Sequence, residues 1–454
     1  MDTIAAISTP HGIGGIAVIR VSGPNALSIV GKIFKGSKAP REIESHRVLY
    51  GKIFNPETEE VIDDVLLTVM KAPHSFTGED VVEISCHGGL VIPRLILETL
   101  LKAGTRLANP GEFTERAFLN GKLDLVQAIG VKDLIEATSI QAVRLARKRL
   151  DGVLSGKFDK LKEQLIDILK DVEARVDFEE DVPPLDPNEF EKKINEIIST
   201  IDDLVKRGEQ GQKLFEGIRI VISGRPNVGK STLFNRILNE ERAIVTDIPG
   251  TTRDVISEQI LLDGIPVRLM DTAGLRETEE KVELIGVNLA LETARTADVI
   301  LYVIDASAPL KEEDIEVLNK LEAPVTILVF NKIDKEINLD KDSLKDIIEE
   351  RQQFWVSSLT GEGLEEFIKG LTSILKEKFI FSDDINLTGR EKGLLLSAKS
   401  DLIEALKVHR EGYPLDIVSF HLREAIFRLN EILGIGDIPE RVLDKIFNEF
   451  CIGK

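Results

Sequence analysis

The chain of 454 residues contains only two cysteines, Cys86 and Cys451, well separated in sequence. That count excludes a disulfide framework and fits a reducing compartment. Aromatic residues amount to 5% of the composition, too few to build stacking platforms for single-stranded nucleic acid. Positive charge is in deficit, with a formal net charge of −20. A surface coated in phosphate contacts is therefore not expected, and any RNA partner must meet a local basic patch or a composite surface. No apolar run is long enough to span a bilayer. The opening stretch MDTIAAISTPHGIGG has neither the basic start nor the sustained apolar run of a secretory signal. A cytoplasmic protein without membrane association is the simplest expectation.

What is present is ordinary globular material, 43% hydrophobic and 30% charged, in a length that suits two to four domains. Up to residue 118 the pattern mixes α and β. GIAVIRVSG (15–23), DDVLLTVMKAP (63–73) and EDVVEISCHGG (79–89) have strand character, and LVIPRLILETLLKAG (90–104) reads as an amphipathic helix. From about residue 122 to 213, Leu, Lys, Glu and Asp recur at helical spacing, interrupted by DFEEDVPPLDP (177–187). Residues 216–377 change texture. GIRIVISG, IPVRLMDT, DVILYVIDAS, VTILVFNKID and QFWVSS alternate with helical stretches, the rhythm of a mostly parallel α/β sheet. From about residue 385 the chain is helical again. The two helical stretches either form one domain that carries the α/β segment as an insertion, or two separate bundles.

Ordered motifs carry the chemistry. GRPNVGKST, Gly224 to Thr232, fits a phosphate-binding loop between a strand and a helix. The backbone of Asn227, Val228, Gly229 and Thr232 cradles phosphates, Lys230 reaches the β and γ oxygens, and Ser231 ligates Mg2+. IVTDIPGTTRD (244–254) holds Thr246, Asp247, Ile248, Pro249, Gly250, Thr251 and Thr252 as candidates for a switch that closes on the γ-phosphate, with Thr252 the candidate metal ligand. In DTAG, Asp271 is placed to hold Mg2+ through water and Gly274 to offer its N–H, with Thr272 and Ala273 between them. In NKID, which includes Asn331 and Lys332, Asp334 can accept two hydrogen bonds from guanine N1–H and N2–H2. Adenine has no matching donor pair, so GTP is the expected substrate. SSLTGEG brings Ser357, Ser358 and Leu359 to the other side of the base.

Leu275 follows DTAG where Ras-like switch proteins carry the glutamine that orients the attacking water. An alkyl side chain orients nothing. Charge developing between the β and γ phosphates must still be met, as an arginine finger does at about 10³–10⁵ in rate. Arg225, Arg253 and Arg276 lie within the phosphate loops, and each reads equally as a solvated surface charge. A bound monovalent cation fills the same role, with Asn227 as a side-chain oxygen ligand and loop 246–251 as a source of carbonyls. Asn227 reads as well as a turn residue bracing its own loop. Several glutamates within 277–283 are available to orient water.

GRPNVGKST, IVTDIPGTTRDV, DTAGLRE, VELIG, SFTGEDVVE, CHGG, PGEFTERAFLNGKLDL and the final FCIGK together resemble the bacterial tRNA modification GTPase family, MnmE or TrmE, over essentially the whole chain. The resemblance implies an α/β plus all-α multidomain architecture. Residues 1–118 would form an N-terminal α+β domain that binds tetrahydrofolate and dimerises, 119–213 and 378–454 a discontinuous helical domain, and 214–377 an inserted Ras-like P-loop G domain. It implies a GTPase activated by potassium-dependent G-domain dimerisation. Mg2+ maps to Ser231 and Thr252, and K+ maps to Asn227, Thr246, Ile248 and Thr251 in place of an arginine finger. Lys230 and Glu283 map to the catalytic residues, of which Glu283 orients the attacking water through a second water. It implies a homodimer that works with a flavin- and NADH-dependent partner on tRNA. The product would carry an aminomethyl or carboxymethylaminomethyl group at C5 of the wobble uridine. The one-carbon donor would be a tetrahydrofolate derivative, in the 5-formyl or 5,10-methylene form, bound by Arg20, Glu83, Lys122 and Lys454.

These folate assignments are chemically sensible. Arg20 and Lys122 could meet the glutamate tail, and Glu83 the donor edge of the pterin. Cys451 has two readings, a small buried hydrophobe anchoring the C-terminus or a thiol near the folate. His87, beside Cys86 but without a second cluster, does not suggest a zinc site. Residues 126–132 read VQAIGVK where the family more often has Gln-Ala-Glu-Ala, and Gly130 inside a helix costs roughly 1 kcal/mol against alanine. Two rival functions remain at this stage: a GTPase switch that checks RNA maturation without modifying it, and a folate-binding dimer in which the G domain is only a clamp.

Overall fold

The computed structural model describes residues 2–178, 180–240, 257–271, 297–320, 323–339, 351–379 and 385–454. The chain divides into two units, one of residues 1–135, 147–201 and 393–454, the other of residues 136–146 and 202–392.

The first unit opens with a seven-stranded sheet. Its strands are β1 (Ile4–Ile7), β2 (Ile16–Ser22), β3 (Phe34–Gly36), β4 (Arg47–Phe54), β5 (Val61–Met70), β6 (Val81–His87) and β7 (Arg106–Leu107), in the order β3-β4-β5-β6-β2-β1-β7. Neighbours are antiparallel apart from β1 and β7. Alternation decides which face is covered. Val65, Leu67 and Val69 of β5 and Val82, Ile84 and Cys86 of β6 are buried with α1 (Ala26–Ile33) and α2 (Ile92–Ala103). Pro93 lies in the first turn of α2, where its missing N–H removes no helical hydrogen bond. After α3 (Glu112–Leu119) come α4 (Leu125–Glu136), α5 (Ile140–Leu150), α6 (Val153–Asp177) and α7 (Pro187–Glu216), with the acidic, proline-containing stretch falling between the last two.

The second unit contains β8 (Ile218–Ser223), β9 (Ser257–Leu262), β10 (Ile265–Asp271), β11 (Val299–Asp305), β12 (Val325–Asn331) and β13 (Gln352–Val356), in the order β13-β12-β11-β8-β10-β9. All pairs are parallel except β9 with β10. Its helices include α8 (Lys230–Glu240), α9 (Glu312–Lys320) and α10 (Leu364–Lys378). Ile218, Ile220 and Ile222 of β8 pack on one side with Leu233 of α8 and Phe367 of α10, while Val221 faces the opposite core with Leu318 of α9. Burial on both faces explains why these strands read as continuous apolar runs. The chain order reverses between β8 and β11, and the crevice at the carboxyl ends of such strands is where parallel sheets bind ligands.

The remaining helices are α11 (Gly389–Arg410), α12 (Leu415–Leu433) and α13 (Glu440–Phe447). Phe158, Leu161, Leu165, Ile168 and Val172 of α6 and Leu422, Ala425, Leu429 and Ile432 of α12 recur at three- and four-residue spacing, and the two helices pack along one another. Phe447 and Phe450 join Leu125 and Ala128 in a small core. Among the described residues no helix is long and apolar enough to cross a membrane.

Candidate functional site

The carboxyl end of β8 runs straight into the loop 224–229, and α8 begins at Lys230. Glycine dictates the loop's path. Gly224 and Gly229 have φ of +141° and +100°, and a Cβ on them would lie 2.4 Å from the Val303 carbonyl oxygen and 2.2 Å from Asn331 Nδ2. Asn227 also adopts a positive φ of 64°, which asparagine tolerates. Its side-chain amide has no hydrogen-bond partner among the described residues, so it does not brace its own turn. The Lys230 ammonium donates to the carbonyls of Gly224 and Arg225, 2.8 Å each, which holds its charge over the loop. Val228 is buried, and Ser231 and Thr232 are exposed in the first turn of α8. A cradle with no room for Cβ atoms, a fixed ammonium and a helix N-terminus fits a nucleoside polyphosphate, and the Ser231 hydroxyl and Asn227 amide are oxygen donors suited to Mg2+ and K+.

A second loop faces this one at the ends of β12 and β13. Asn331 is 2% exposed. Its Nδ2 donates to the Val228 carbonyl at 2.8 Å, and its Oδ1 accepts from the backbone N–H and the hydroxyl of Ser358, both at 2.9 Å. Asn331 is thus a strut between the two loops. Lys332 crosses the same gap, donating to the Asn227 carbonyl at 2.7 Å and to Asp305 at 2.5 Å. Partial burial works to raise the Asp305 pKa, but hydrogen bonds from Lys332 and Ser307 outweigh it and hold the carboxyl below its ordinary value. Asp334 is exposed and accepts from the Ser357 hydroxyl at 2.5 Å. Arg236 of α8 donates to the carbonyls of Ser358 and Leu359. The sheet therefore gathers the residues expected from 227–232, 331–334 and 357–359 at one crevice, and Asp271 ends β10 in register with Ile222 of β8. Thr246, Asp247, Ile248, Pro249, Gly250, Thr251, Thr252, Arg253, Thr272, Ala273, Gly274, Leu275, Arg276 and Glu283 lie outside the described residues.

Arg225 is not the solvated charge that sequence allowed. Its Nε lies 2.8 Å from Oδ2 of Asp314, whose side chain is 1% exposed, and the Tyr302 hydroxyl donates to the other carboxylate oxygen at 3.0 Å.

The first unit carries a second candidate site. Arg20 and Glu83 are register partners across β2 and β6, joined at 2.9 Å. The Arg20 guanidinium sits 5.7 Å and 5.6 Å from the ring centres of Phe76 and Phe113. The Phe113 N–H donates to the Lys454 carbonyl at 3.1 Å, and Lys122 donates to the Pro73 carbonyl at 3.2 Å. Arg20, Lys122 and Lys454 therefore each connect to Phe113 or to the loop 73–79, which carries Phe76, and Glu83 joins them through Arg20. That loop is fixed from beneath by Arg116, 4% exposed, which pairs with Asp2, Glu79 and Glu112. Cys451 is exposed, which corrects the buried reading. Phe450 enters the core beside Phe447, and the next residue points outward while its carbonyl accepts from Gly111.

The model of the GTP-binding protein TrmE N-terminus matches residues 3–122, and that of the MnmE helical domain matches residues 125–451. The chain belongs to the MnmE family of tRNA modification GTPases. Similar relatives, each bearing the name tRNA modification GTPase MnmE, include those of Thermoanaerobacter pseudethanolicus, 44% identical over 100% of this chain and 99% of its own, and Caldicellulosiruptor saccharolyticus, 45% identical over the same shares. The Bacillus subtilis relative is 41% identical over 100% of both chains. A solved structure of the G domain of the T. maritima FeoB iron transporter is 27% identical, covering 36% of this chain and 96% of its own, with a TM-score of 0.25.

Three residues of this MnmE family member that brace the two loops escaped the sequence reading: Asp305, Asp314 and Arg236. Asp305 had a usable signal, a carboxylate closing the apolar strand VILYVID. Asp314, in the first turn of α9, and Arg236, within α8, gave none.

Proposed function

We propose that this protein hydrolyses GTP and couples the reaction to modification of the wobble uridine of certain tRNAs. The supporting observation is the pair of loops braced by Asn331 and Lys332, in a chain that aligns end to end with MnmE proteins. The backbone from Asn227 to Ser231 would bind the phosphates, Lys230 would place its charge on the β and γ oxygens, and Asp334 would accept the guanine N1–H and N2–H2. Ser231 and Thr252 would hold Mg2+. Asn227 with Thr246, Ile248 and Thr251 would hold K+. Bound K+ supplies positive charge at the β–γ bridge, the place an arginine finger occupies elsewhere. The Arg225–Asp314 ion pair supports this assignment, because it ties one of the three candidate arginines elsewhere. Glu283 would position the attacking water.

In the same reading, residues 1–118 form a folate-binding domain that dimerises, the segments 119–213 and 378–454 a helical domain, and 214–377 the G domain. A tetrahydrofolate derivative bound near Arg20, Glu83, Lys122 and Lys454 would supply one carbon. A flavin- and NADH-dependent partner would supply redox chemistry for an aminomethyl or carboxymethylaminomethyl group at C5, in the cytoplasm. Two measurements test the proposal together: GTP turnover in KCl against NaCl, and nucleoside analysis of tRNA from a strain lacking the protein. Turnover is expected to rise steeply with KCl and the C5-substituted uridine to disappear. Equal turnover in both salts would remove the cation assignment, and unaltered nucleosides would leave a GTPase that does not modify RNA.

A further inference from the structure

We propose that Arg236 sets selectivity at the six position of the purine by fixing the peptide plane between Ser358 and Leu359. The proposal rests on reading the crevice as a guanine-nucleotide site. Arg236 projects from α8, the helix whose first turn carries Lys230 and Ser231. Its Nε donates to the Ser358 carbonyl at 3.1 Å and its Nη2 to the Leu359 carbonyl at 2.8 Å. A trans peptide points its C=O and N–H in opposite directions. With the Ser358 carbonyl turned toward Arg236, the N–H of Leu359 is turned away from it. That N–H has no hydrogen-bond partner among the described residues, and Leu359 is 71% exposed.

Neighbouring bonds hold the same orientation. The Ser358 N–H donates to Asn331, and the Thr360 N–H donates to the Ser357 hydroxyl, which itself donates to Asp334. The loop thus presents an unengaged donor where a flipped peptide would present an acceptor. Guanine O6 matches a donor, whereas the six-amino group of adenine meets donor against donor. Asp334 reads the N1 and N2 edge, and the Leu359 N–H reads the six position. A planar guanidinium holds two carbonyls in one fixed geometry, which a lysine ammonium does not. Arg236 is half-buried, and Leu233 and Ile237 beside it face the core, so truncation at 236 leaves no core cavity.

Calorimetric binding of GDP, 6-thio-GDP, IDP and ADP to the full-length protein and to Arg236→Ala and Arg236→Lys tests this. The thio analogue weakens only the acceptor at position six, and IDP lacks only the amine read by Asp334. Arg236→Ala is expected to lose about tenfold in GDP affinity. Its preference for GDP over 6-thio-GDP should shrink toward one while its preference for GDP over IDP stays at the wild-type value. Arg236→Lys should fall between. An unchanged preference over 6-thio-GDP in Arg236→Ala overturns the proposal. So does an equal shrinkage of both preferences, which marks general loosening of the loop. Wild-type protein that binds ADP as tightly as GDP would fail the guanine reading itself and remove the proposal with it, a result visible before any substitution is made.

Discussion

The buried amide of Asn331 donates to the Val228 carbonyl at 2.8 Å, so the loop 224–229 and the loop at the ends of β12 and β13 are one braced object. Asn331→Ala would strand the Val228 carbonyl and the Ser358 N–H in a buried setting. Each such group costs about 1–3 kcal/mol. The expected outcome is a lower thermal midpoint together with weaker GDP binding. Asn331→Asp keeps the acceptor for Ser358 but sets a carboxylate oxygen against the Val228 carbonyl, and is expected to be no better. A variant that keeps both stability and affinity would show the brace to be redundant.

The Arg225–Asp314 pair gives a second prediction. Asp314 is fully buried, and Arg225 is the cation beside it. Breaking a buried pair from one side is strongly destabilising, about 3–5 kcal/mol, whereas replacing both partners with apolar residues is often neutral. Arg225→Met should therefore shift the urea midpoint sharply downward, and Arg225→Met with Asp314→Leu should recover most of it. Turnover per bound GTP in KCl should survive in the double variant. A collapse of turnover in that stable double variant would make Arg225 the charge that meets the transition state.

How much of this was legible in the sequence depended on whether partners were neighbours in the chain. β8, β11 and β12 are buried on both faces and stood out as unbroken β-branched runs. β9, an edge strand reading SEQILL, has no such run and escaped. The phosphate loop was legible because its donors, its ammonium and its glycines are contiguous. Arg20 with Glu83, or Arg225 with Asp314, were not, since strand register and helix rotation decide those meetings. In the sequence Asn331 is only the first residue of the NKID motif, and the folded chain gives its role as a strut.

The two cysteines should differ in chemistry. Burial, and then the nearby negative charge of Asp63, push the Cys86 thiol up to about 11, from an ordinary value of 9.0. The folded state thus holds this proton more tightly than the unfolded chain does. Stability from the neutral thiol is complete below the unfolded value and is lost as pH rises through the folded one. Wild-type protein should therefore lose more stability than Cys86→Ala between about pH 9 and 11. Cys451 is exposed, so native protein at mildly alkaline pH should alkylate at Cys451 alone, with Cys86 reacting only after denaturant is added. Peptide mapping of the alkylated chain checks both.

Gly130 sets intrinsic propensity against packing. Within α4 an alanine would be favoured over glycine by roughly 1 kcal/mol on propensity alone. Yet a Cβ at 130 would lie 2.9 Å from the Leu150 backbone nitrogen and 3.2 Å from its Cα. The obstacle is backbone, so it cannot swing aside as a side chain tip would. Gln127 fastens the same contact by donating to the Leu150 carbonyl at 3.0 Å. Overpacking of this kind costs about 1–3 kcal/mol, at least as much as the propensity gain. Gly130→Ala should therefore destabilise the first unit, and Gly130→Ala with Gln127→Ala should cost less than the sum, because releasing the Leu150 carbonyl lets that backbone draw back from the new methyl group. Ile129, beside Gly130, is 7% exposed, and Ile129→Glu would bury a charge there. Denaturation of these variants side by side decides the matter: a stabilised Gly130→Ala would mean that α4 and α5 approach each other less closely than the geometry at Leu150 requires.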